Sequence, residues 1–176
     1  FKPEEYRIFF LDIVMQKNGI DVAKEIDTTL NILHSKYKNR IEIKKEYQEK
    51  LPLVESFGGQ LNQVFMNILD NAFYAIEDRG TVYIRIKSVD ENVIIEFEDT
   101  GKGMPQDVAE KIFNPFFTTK PVGQGTGLGM SISYRVIKDH NGTINVKSEV
   151  GKGTLFELVL PVKFVKKEEI ENNGKV

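Results

Sequence analysis

Cysteine is absent from this sequence, and histidine occurs only twice. Without cysteine the chain has no disulfide bond, no thiol nucleophile and no cysteine-ligated metal site. The two histidines, His34 and His140, argue against a zinc centre, because zinc sites need three or four strong protein ligands. Disulfides and thiol chemistry are therefore excluded, and zinc is not expected.

Long apolar runs and an excess of positive charge are also missing. No stretch approaches the ~20 apolar residues that a membrane-spanning helix needs, and no signal peptide is visible. The formal net charge of -2 at pH 7 predicts no basic surface for nucleic acid. We therefore expect no nucleic-acid partner, no direct membrane contact and a cytoplasmic domain, whether or not the parent protein is anchored in a membrane.

What is present is the composition of an ordinary globular protein, with 40% hydrophobic and 28% charged residues. A chain of 176 residues predicts one domain with a substantial core. The sequence begins with Phe1 rather than Met, so we expect a piece of a longer protein. The expected divisions are a terminal helix or linker over 1–18, a globular domain over 19–163 and a charged tail over 164–176.

Hydrophobic periodicity predicts an α/β (α+β) fold. The predicted helices cover 3–17, 21–37, 59–78, 105–113 and 126–139. The predicted strands cover 40–47, 81–88, 93–98, 143–148 and 154–162, with 51–57 as a connector or short edge strand. Because the last four strands form two hairpins, we expect a two-layer sandwich in which helices cover one face of a mixed, mostly antiparallel sheet.

Glycines are concentrated between Asp99 and Gly129, in D-T-G-K-G-M and G-Q-G-T-G-L-G. Glycine lets backbone N–H groups approach a polyanion closely, and the start of the following helix adds positive potential. The segment is neither a P-loop nor the dinucleotide fingerprint, since neither spacing occurs. It predicts a phosphate-binding site of another kind, for a nucleotide.

Single residues of this region leave alternatives open. Asp99 is either an acceptor for an amino group, as on adenine, or the start of an Asx turn before Gly101. Asn67 and Asn71 share one helical face and are either Mg²⁺ ligands or solvated and capping side chains. Lys120 and the glycines near it are either phosphate contacts or parts of a flexible surface loop.

Five motifs in a fixed order are more specific than any single residue. They are N-I-L-D-N-A (67–72), D-T-G-K-G-M (99–104), I-F-N-P-F-F-T-T-K (112–120), G-Q-G-T-G-L-G-M (123–130) and G-K-G-T-L-F (151–156). With them the sequence resembles the ATP-binding catalytic domain of bacterial sensor histidine kinases, in the gyrase–Hsp90–histidine kinase–MutL superfamily (Bergerat fold). N-A-x-x-A-I together with F-F-T-T-K resembles the nitrogen-regulation type.

The resemblance implies roles for the polar residues. Asn71 would coordinate Mg²⁺ with help from Asn67. Asp99 would bind the adenine amino group, with Thr154 in the water network beside it. Asn67, Asn71 and Lys120 are the catalytic residues that it implies.

The resemblance also implies a phosphate end and a lid. Lys120 and the amides of 127–129 would hold phosphates. Phe116, Met104 and Leu128 would close the pocket, with 114–126 as a nucleotide-sensitive lid. The full set of expected nucleotide contacts is Asn71, Asp99, Gly101, Gly103, Met104, Phe116, Thr119, Lys120, Gly125, Thr126, Gly127, Leu128, Gly129, Met130 and Thr154.

Two departures refine the expected chemistry. Hydrolysing members of the superfamily carry a water-activating Glu where this chain has Asn67, which cannot act as a general base, so transfer rather than hydrolysis is expected. Many histidine kinases carry Lys-Tyr three and four residues after the metal Asn, whereas this chain has Tyr74-Ala75. We therefore assign the phosphate contact of that helix to Lys120.

The expected function is to bind Mg-ATP and transfer the γ-phosphoryl group to a histidine in two-component signalling. Neither His34 nor His140 has the acid and proline that follow a phosphoacceptor histidine, so the acceptor is expected on an upstream domain through which the parent protein dimerises. A response-regulator receiver domain would be the next partner. The alternatives are a nucleotide-binding regulatory module without transfer and an anti-sigma-factor type serine kinase, which the long region 3–57 disfavours.

Overall fold

A computed structural model describes residues 17–57, 59–121 and 123–163. The strands are β1 (Lys17–Ile20), β2 (Ile41–Tyr47), β3 (Val54–Phe57), β4 (Gly80–Val89), β5 (Asn92–Asp99), β6 (Thr143–Glu149) and β7 (Gly153–Pro161). The helices are α1 (Val22–Ile32), α2 (His34–Tyr37), α3 (Gln60–Ala75), α4 (Gln106–Ala109) and α5 (Gly129–Asp139). None of these helices combines the length and the apolar composition that crossing a membrane requires.

The main sheet has five strands in the order β2-β4-β5-β7-β6. β2 and β4 run parallel, and the other neighbours are antiparallel. β1 and β3 form a separate antiparallel pair. The helices lie on one face of the main sheet, so the predicted two-layer α/β sandwich with a mixed, mostly antiparallel sheet is confirmed.

The adjacent strands β4 and β5 alternate between core and solvent, as the period of two predicts. In β5 the side chains of Val93, Ile95 and Phe97 are buried under the helices. Asp99 is the next residue of the same inward series and is only 4% exposed. The strand therefore carries a carboxylate into the core layer at the point where the sheet ends.

α3 is the central helix of the helical layer and packs against both α1 and α5. Its apolar positions recur with helical period and are all buried: Leu61, Val64, Phe65, Ile68, Leu69, Ala72 and Phe73. Leu61, Val64, Phe65, Ile68, Leu69 and Ala72 form one stripe along the helix, and Phe73 widens it. The polar side of α3 is left to face the region that follows β5.

α3 ends at Ala75, three residues before the predicted end at Asp78. The guanidinium group of Arg40 donates to the carbonyl oxygen of Phe73 at 2.8 Å and to that of Ile76. The amide of Lys102 donates to the carbonyl oxygen of Ala75 at 3.0 Å. Donors from distant segments thus satisfy carbonyls that another helical turn would have used, which the local sequence does not reveal.

Other helix boundaries also differ from the predictions. The helix predicted over 21–37 is capped by Asp21 through a 3.1 Å bond from the Lys24 amide, but it breaks at Leu33 into α1 and α2. The last helix begins at Gly129 rather than Thr126. Positive-φ glycines before it keep the preceding residues out of helical geometry.

At the amino-terminal side, the predicted helix over 3–17 lies outside the described residues except for Lys17, which belongs to β1. β1 forms because β3 offers it a partner strand, so 51–57 contains the edge strand that was one of the two predicted alternatives.

Pro105 is the N-cap of a four-residue α4 rather than the first residue of a longer helix. The tail over 164–176 also lies outside the described residues.

The β6–β7 turn contains two glycines with positive φ but different surroundings. A Cβ on Gly153 (φ 118°) would lie 1.8 Å from the carbonyl oxygen of Asp99, whereas a Cβ on Gly151 (φ 79°) would meet no atom within 4 Å. Gly153 therefore lets β7 approach the end of β5, while Gly151 serves only the turn.

We predict that Gly153→Ala destabilises the fold far more than Gly151→Ala. The left-handed backbone alone costs an alanine about 1–2 kcal/mol, and the clash at Gly153 raises the total to about 3–5 kcal/mol. Urea unfolding of both variants measures the difference. Equal losses of unfolding free energy would show that the close approach of β7 to Asp99 does not constrain the fold.

Candidate functional site

A cavity of about 880 Å³ opens between α3, the β5–α4 connection and the segment that leads into α5. Thirteen of the residues expected from the sequence line it: Asn67, Asn71, Asp99, Gly103, Met104, Thr119, Lys120, Gly125, Thr126, Gly127, Gly129, Met130 and Thr154. The structure therefore brings the separate motifs together in one place. Gly101, Phe116 and Leu128 are the expected residues that do not line the cavity.

Asp99 forms one end of the cavity. Its Oδ1 atom accepts a 2.8 Å hydrogen bond from the Gly101 amide, so the Asx turn is present. The same carboxyl group also borders the cavity, so the turn and a ligand contact are compatible. Burial raises the pKa of Asp99 to about 6, although the backbone amides of Gly101 and Thr154 favour its ionised form.

A small hydrogen-bond network supports this end. The Ser148 hydroxyl donates to the carbonyl oxygen of Gly153 at 2.9 Å and accepts from the Met104 amide at 2.8 Å. Because the only proton of Ser148 is used, the Thr154 hydroxyl is the donor in the 2.9 Å bond between the two hydroxyl groups. The lone pairs of Thr154 are left to accept from water or ligand beside Asp99.

Much of the cavity wall is apolar. Its apolar residues include Met104, Pro105, Val108, Ile112, Met130, Val150 and Phe156. A flat aromatic base with one polar edge fits an apolar slot that ends in a single carboxylate. This end of the cavity therefore suits a purine whose amino group meets Asp99.

Asn67 has a different role from the expected one. Its Nδ2 atom donates to the carbonyl oxygen of Gly129 at 2.8 Å and to the Ser133 hydroxyl at 3.0 Å, while Oδ1 accepts from Gln63 at 3.1 Å. A carbonyl can only accept, so the amide nitrogen must face Gly129. Asn67 ties α3 to the first turn of α5, and its geometry does not support the expected help in metal binding.

Asn71 lies one helical turn further along α3 and borders the cavity. Within the described ranges its side-chain amide has no hydrogen-bond partner, so its oxygen is available. The described residues contain no cluster of three acidic or histidine ligands. The amide oxygen of Asn71 is a ligand type that suits Mg²⁺, an ion that takes few protein oxygens and completes its shell with water and phosphate oxygens.

Together with Lys102 in the lining, Lys120 is a cation at this end of the cavity. Its ammonium group lies 4.5 Å from the centre of the Tyr74 ring, and Asp70 is the nearby charge that favours its protonated form. Burial lowers the pKa of Lys120 from its ordinary value. Asp70 itself pairs with Lys36, so this end of the cavity carries net positive charge for phosphate.

The structure corrects the expectation for Phe116. This side chain is 75% exposed, with φ at 66°, and points away from the cavity, whereas its neighbour Phe117 lines it. The segment has no regular period, so the sequence offered no means to choose between adjacent aromatics. Leu128 is also outside the lining, and its amide donates to Thr126 Oγ1 at 3.3 Å.

Gly101 lies outside the cavity lining but allows two elements of the site to pack closely. A Cβ there would lie 2.7 Å from the backbone of Ala75, so glycine allows the end of β5 to touch the end of α3. Sequence reasoning gave no role to Ser148, Asp70 and Lys102. Asp70 and Lys102 nevertheless lie within the motifs N-I-L-D-N-A and D-T-G-K-G-M, and the β6–β7 hairpin pairs Ser148 directly with Thr154.

Comparisons with known proteins agree with this geometry. The family described as "Histidine kinase-, DNA gyrase B-, and HSP90-like ATPase" matches residues 58–163, which is more than half of the chain. Sporulation kinase E of Bacillus subtilis (strain 168) is 38% identical over 144 residues, covering 81% of this chain and 19% of that protein. The chain spans between 14% and 33% of the length of this and similar curated relatives.

Solved structures show the same fold. The catalytic domain of histidine kinase ThkA matches with a TM-score of 0.75 and 29% identity, covering 84% of this chain and 97% of that one. Histidine kinase ThkA in complex with response regulator protein TrrA matches with a TM-score of 0.72 and 25% identity, covering 91% of this chain and 46% of that one. The chain therefore belongs to the family of histidine kinase-, DNA gyrase B- and HSP90-like ATPases, in which it is an ATP-binding catalytic domain of the histidine kinase type.

Proposed function

We propose that this domain binds Mg-ATP and transfers the γ-phosphoryl group to a histidine on another domain of its parent protein. The observation that carries the proposal is the composition of one cavity. A buried carboxylate, Asp99, an available amide oxygen, Asn71, and a cation, Lys120, line the same cavity, much of whose wall is apolar. This arrangement matches a purine base joined to a metal-bound polyphosphate.

Each end has a defined task. Asp99 accepts from the adenine amino group, and the Thr154 hydroxyl accepts from water between the base and the strand. Asn71 supplies one oxygen to Mg²⁺, which when bound neutralises phosphate charge. Lys120 and the amides of Gly127 and Gly129 contact phosphate oxygens at the start of α5, where the helix N-terminus favours anions.

The cavity favours transfer over hydrolysis because the described residues near Lys120 offer no carboxylate that is not already in an ion pair. Asn67 cannot take a proton from water and is bonded to α5. Among the described residues that line the cavity, the only carboxylates are Asp70, which pairs with Lys36, and Asp99 at the opposite end. In the proposed step, a histidine ring nitrogen forms a bond to the γ-phosphorus while the bond to the β–γ bridging oxygen breaks and ADP leaves.

The acceptor lies outside the described residues. His34 is exposed on α2, and His140 is 2% exposed and bonded to the Ser56 hydroxyl at 3.1 Å. Neither lines the cavity. We infer an upstream phosphoacceptor domain through which the parent protein dimerises, a cytoplasmic location and a response-regulator partner. The ThkA complex with TrrA supports the last point, and the nitrogen-regulation subtype stays a prediction.

The proposal predicts that Asp99→Asn weakens binding of a non-hydrolysable ATP analogue by about 10- to 100-fold, because a charge-assisted hydrogen bond is lost. Isothermal titration calorimetry measures the affinity, and circular dichroism checks the fold. Glu96→Gln is the matched control, since Glu96 lies on the opposite face of the same strand, near Arg85 and Lys87. Unchanged affinity in Asp99→Asn would exclude Asp99 as the adenine contact.

Adenine nucleotide should lower the pKa of Asp99. The free carboxyl titrates at about 6 because burial favours its neutral form. An amino group that donates to the carboxylate favours the ionised form, so ADP should move the midpoint down, and ADP affinity should fall as pH drops through that range. Carboxyl ¹³C NMR of Asp99 reports the midpoint directly. GDP should leave it unchanged, and an equal shift with GDP would refute an adenine-specific contact.

Phosphotransfer should be measurable in trans. With γ-labelled ATP and a separately produced phosphoacceptor domain from a similar kinase, we expect acid-labile label on its histidine and little released phosphate. Lys120→Met should slow labelling at least about 10-fold, since a charge-assisted phosphate contact is lost. Acid-stable label would indicate a serine kinase, and nucleotide binding without label would indicate a regulatory module.

A further inference from the structure

Tyr74 projects from the cavity side of α3, three residues after Asn71. The Tyr74 side chain is 37% exposed, whereas the apolar side chains on the core side of α3 are buried. Two ammonium groups flank its ring: Lys120 at 4.5 Å and Lys102 at 5.2 Å from the ring centre. No other aromatic side chain that lines the cavity has a cation over its ring among the described residues.

Cation–π attraction to the Tyr74 ring stabilises both lysine ammonium groups in these positions. The face of a tyrosine ring attracts an ammonium group within about 6 Å, and the attraction grows when the pair is partly desolvated. Lys120 is partly buried, which is the condition that strengthens such a contact. Lys102 is held from its other side by Glu77 at 3.7 Å, so the two lysines do not depend on the ring equally.

Lys120 depends on the Tyr74 ring more than Lys102 does, because its own segment gives it little support. It belongs to the stretch between α4 and α5, which contains no helix or strand in its described part. Its own backbone amide is bonded only locally, to Thr118 Oγ1 at 3.1 Å. The Tyr74 ring and the charge of Asp70 are thus the features of α3 that hold the Lys120 ammonium group at the cavity.

We propose that Tyr74 is a positioning residue, whose ring face holds the ammonium group of Lys120 where the terminal phosphates of ATP bind. The inference rests on the proposed function and adds to it the residue that supports the phosphate-binding cation. It also gives a physical reason for an aromatic residue at this helix position: the helix holds a lysine from the opposite segment. The Tyr74 hydroxyl has no hydrogen bond in the described part of the chain, so the ring alone carries the effect.

The test compares Tyr74→Leu with Tyr74→Phe by calorimetric titration of a non-hydrolysable ATP analogue. Tyr74→Leu should weaken binding about 2- to 30-fold, the range of a cation–π contact, whereas Tyr74→Phe should stay within about twofold because the ring face remains. Tyr83→Leu is the matched control. Tyr83 also has two cations near its ring, Lys44 at 5.5 Å and Arg85 at 5.2 Å, but it is not part of the cavity lining.

A double-mutant cycle separates positioning from direct contact. If Tyr74 acts through Lys120, then Tyr74→Leu should have no further effect in a Lys120→Met background. A full loss in that background, or an equal loss in Tyr74→Phe, would overturn the inference.

If the wild-type domain fails to bind the analogue, the proposed function falls and this inference with it. Normal wild-type binding with unchanged binding by Tyr74→Leu overturns only the role of Tyr74.

Discussion

A carboxylate buried at the end of a core strand is the constraint on which the rest of the site depends. Asp99 follows the inward phase of β5, so its charge lies where only hydrogen bonds can compensate for lost water. The amide of Gly101 supplies one bond, and the close approach of β7 at Gly153 keeps Thr154 beside the carboxylate. The β6–β7 hairpin, Gly153 and Ser148 are arranged around this one group.

α3 connects that constraint to the opposite end of the cavity. Its apolar side forms the core, and its polar side carries three residues spaced by four and three positions, Asn67, Asn71 and Tyr74, which share one stripe. Each has a different task along the stripe. Asn67 fixes the start of α5, Asn71 offers an oxygen, and the ring of Tyr74 lies under Lys120. One helix thus sets the positions of structural, metal-binding and phosphate-binding groups.

Much of the fold was predictable because its signals are local. The stripe of α3, the alternation of β4 and β5 and the Asp21 cap each follow from neighbouring residues alone. The errors occurred where a distant partner decided the outcome. Arg40 satisfies the last carbonyls of α3 and ends the helix early, and β3 converts the residues around Gly19 into a strand. No periodic pattern within either segment encodes such a partner.

The sequence by itself determined the order of the motifs, the inward phase of Asp99 and the lack of a general base at Asn67, since residue identity and spacing are sufficient for these. The tertiary structure alone decided that Asn67 bonds to α5, that Phe117 rather than Phe116 lines the cavity and that Tyr74 lies beside Lys120. The physical reason is that side-chain direction in an irregular segment, and the partner of a helical amide, are set by contacts between residues far apart in the chain.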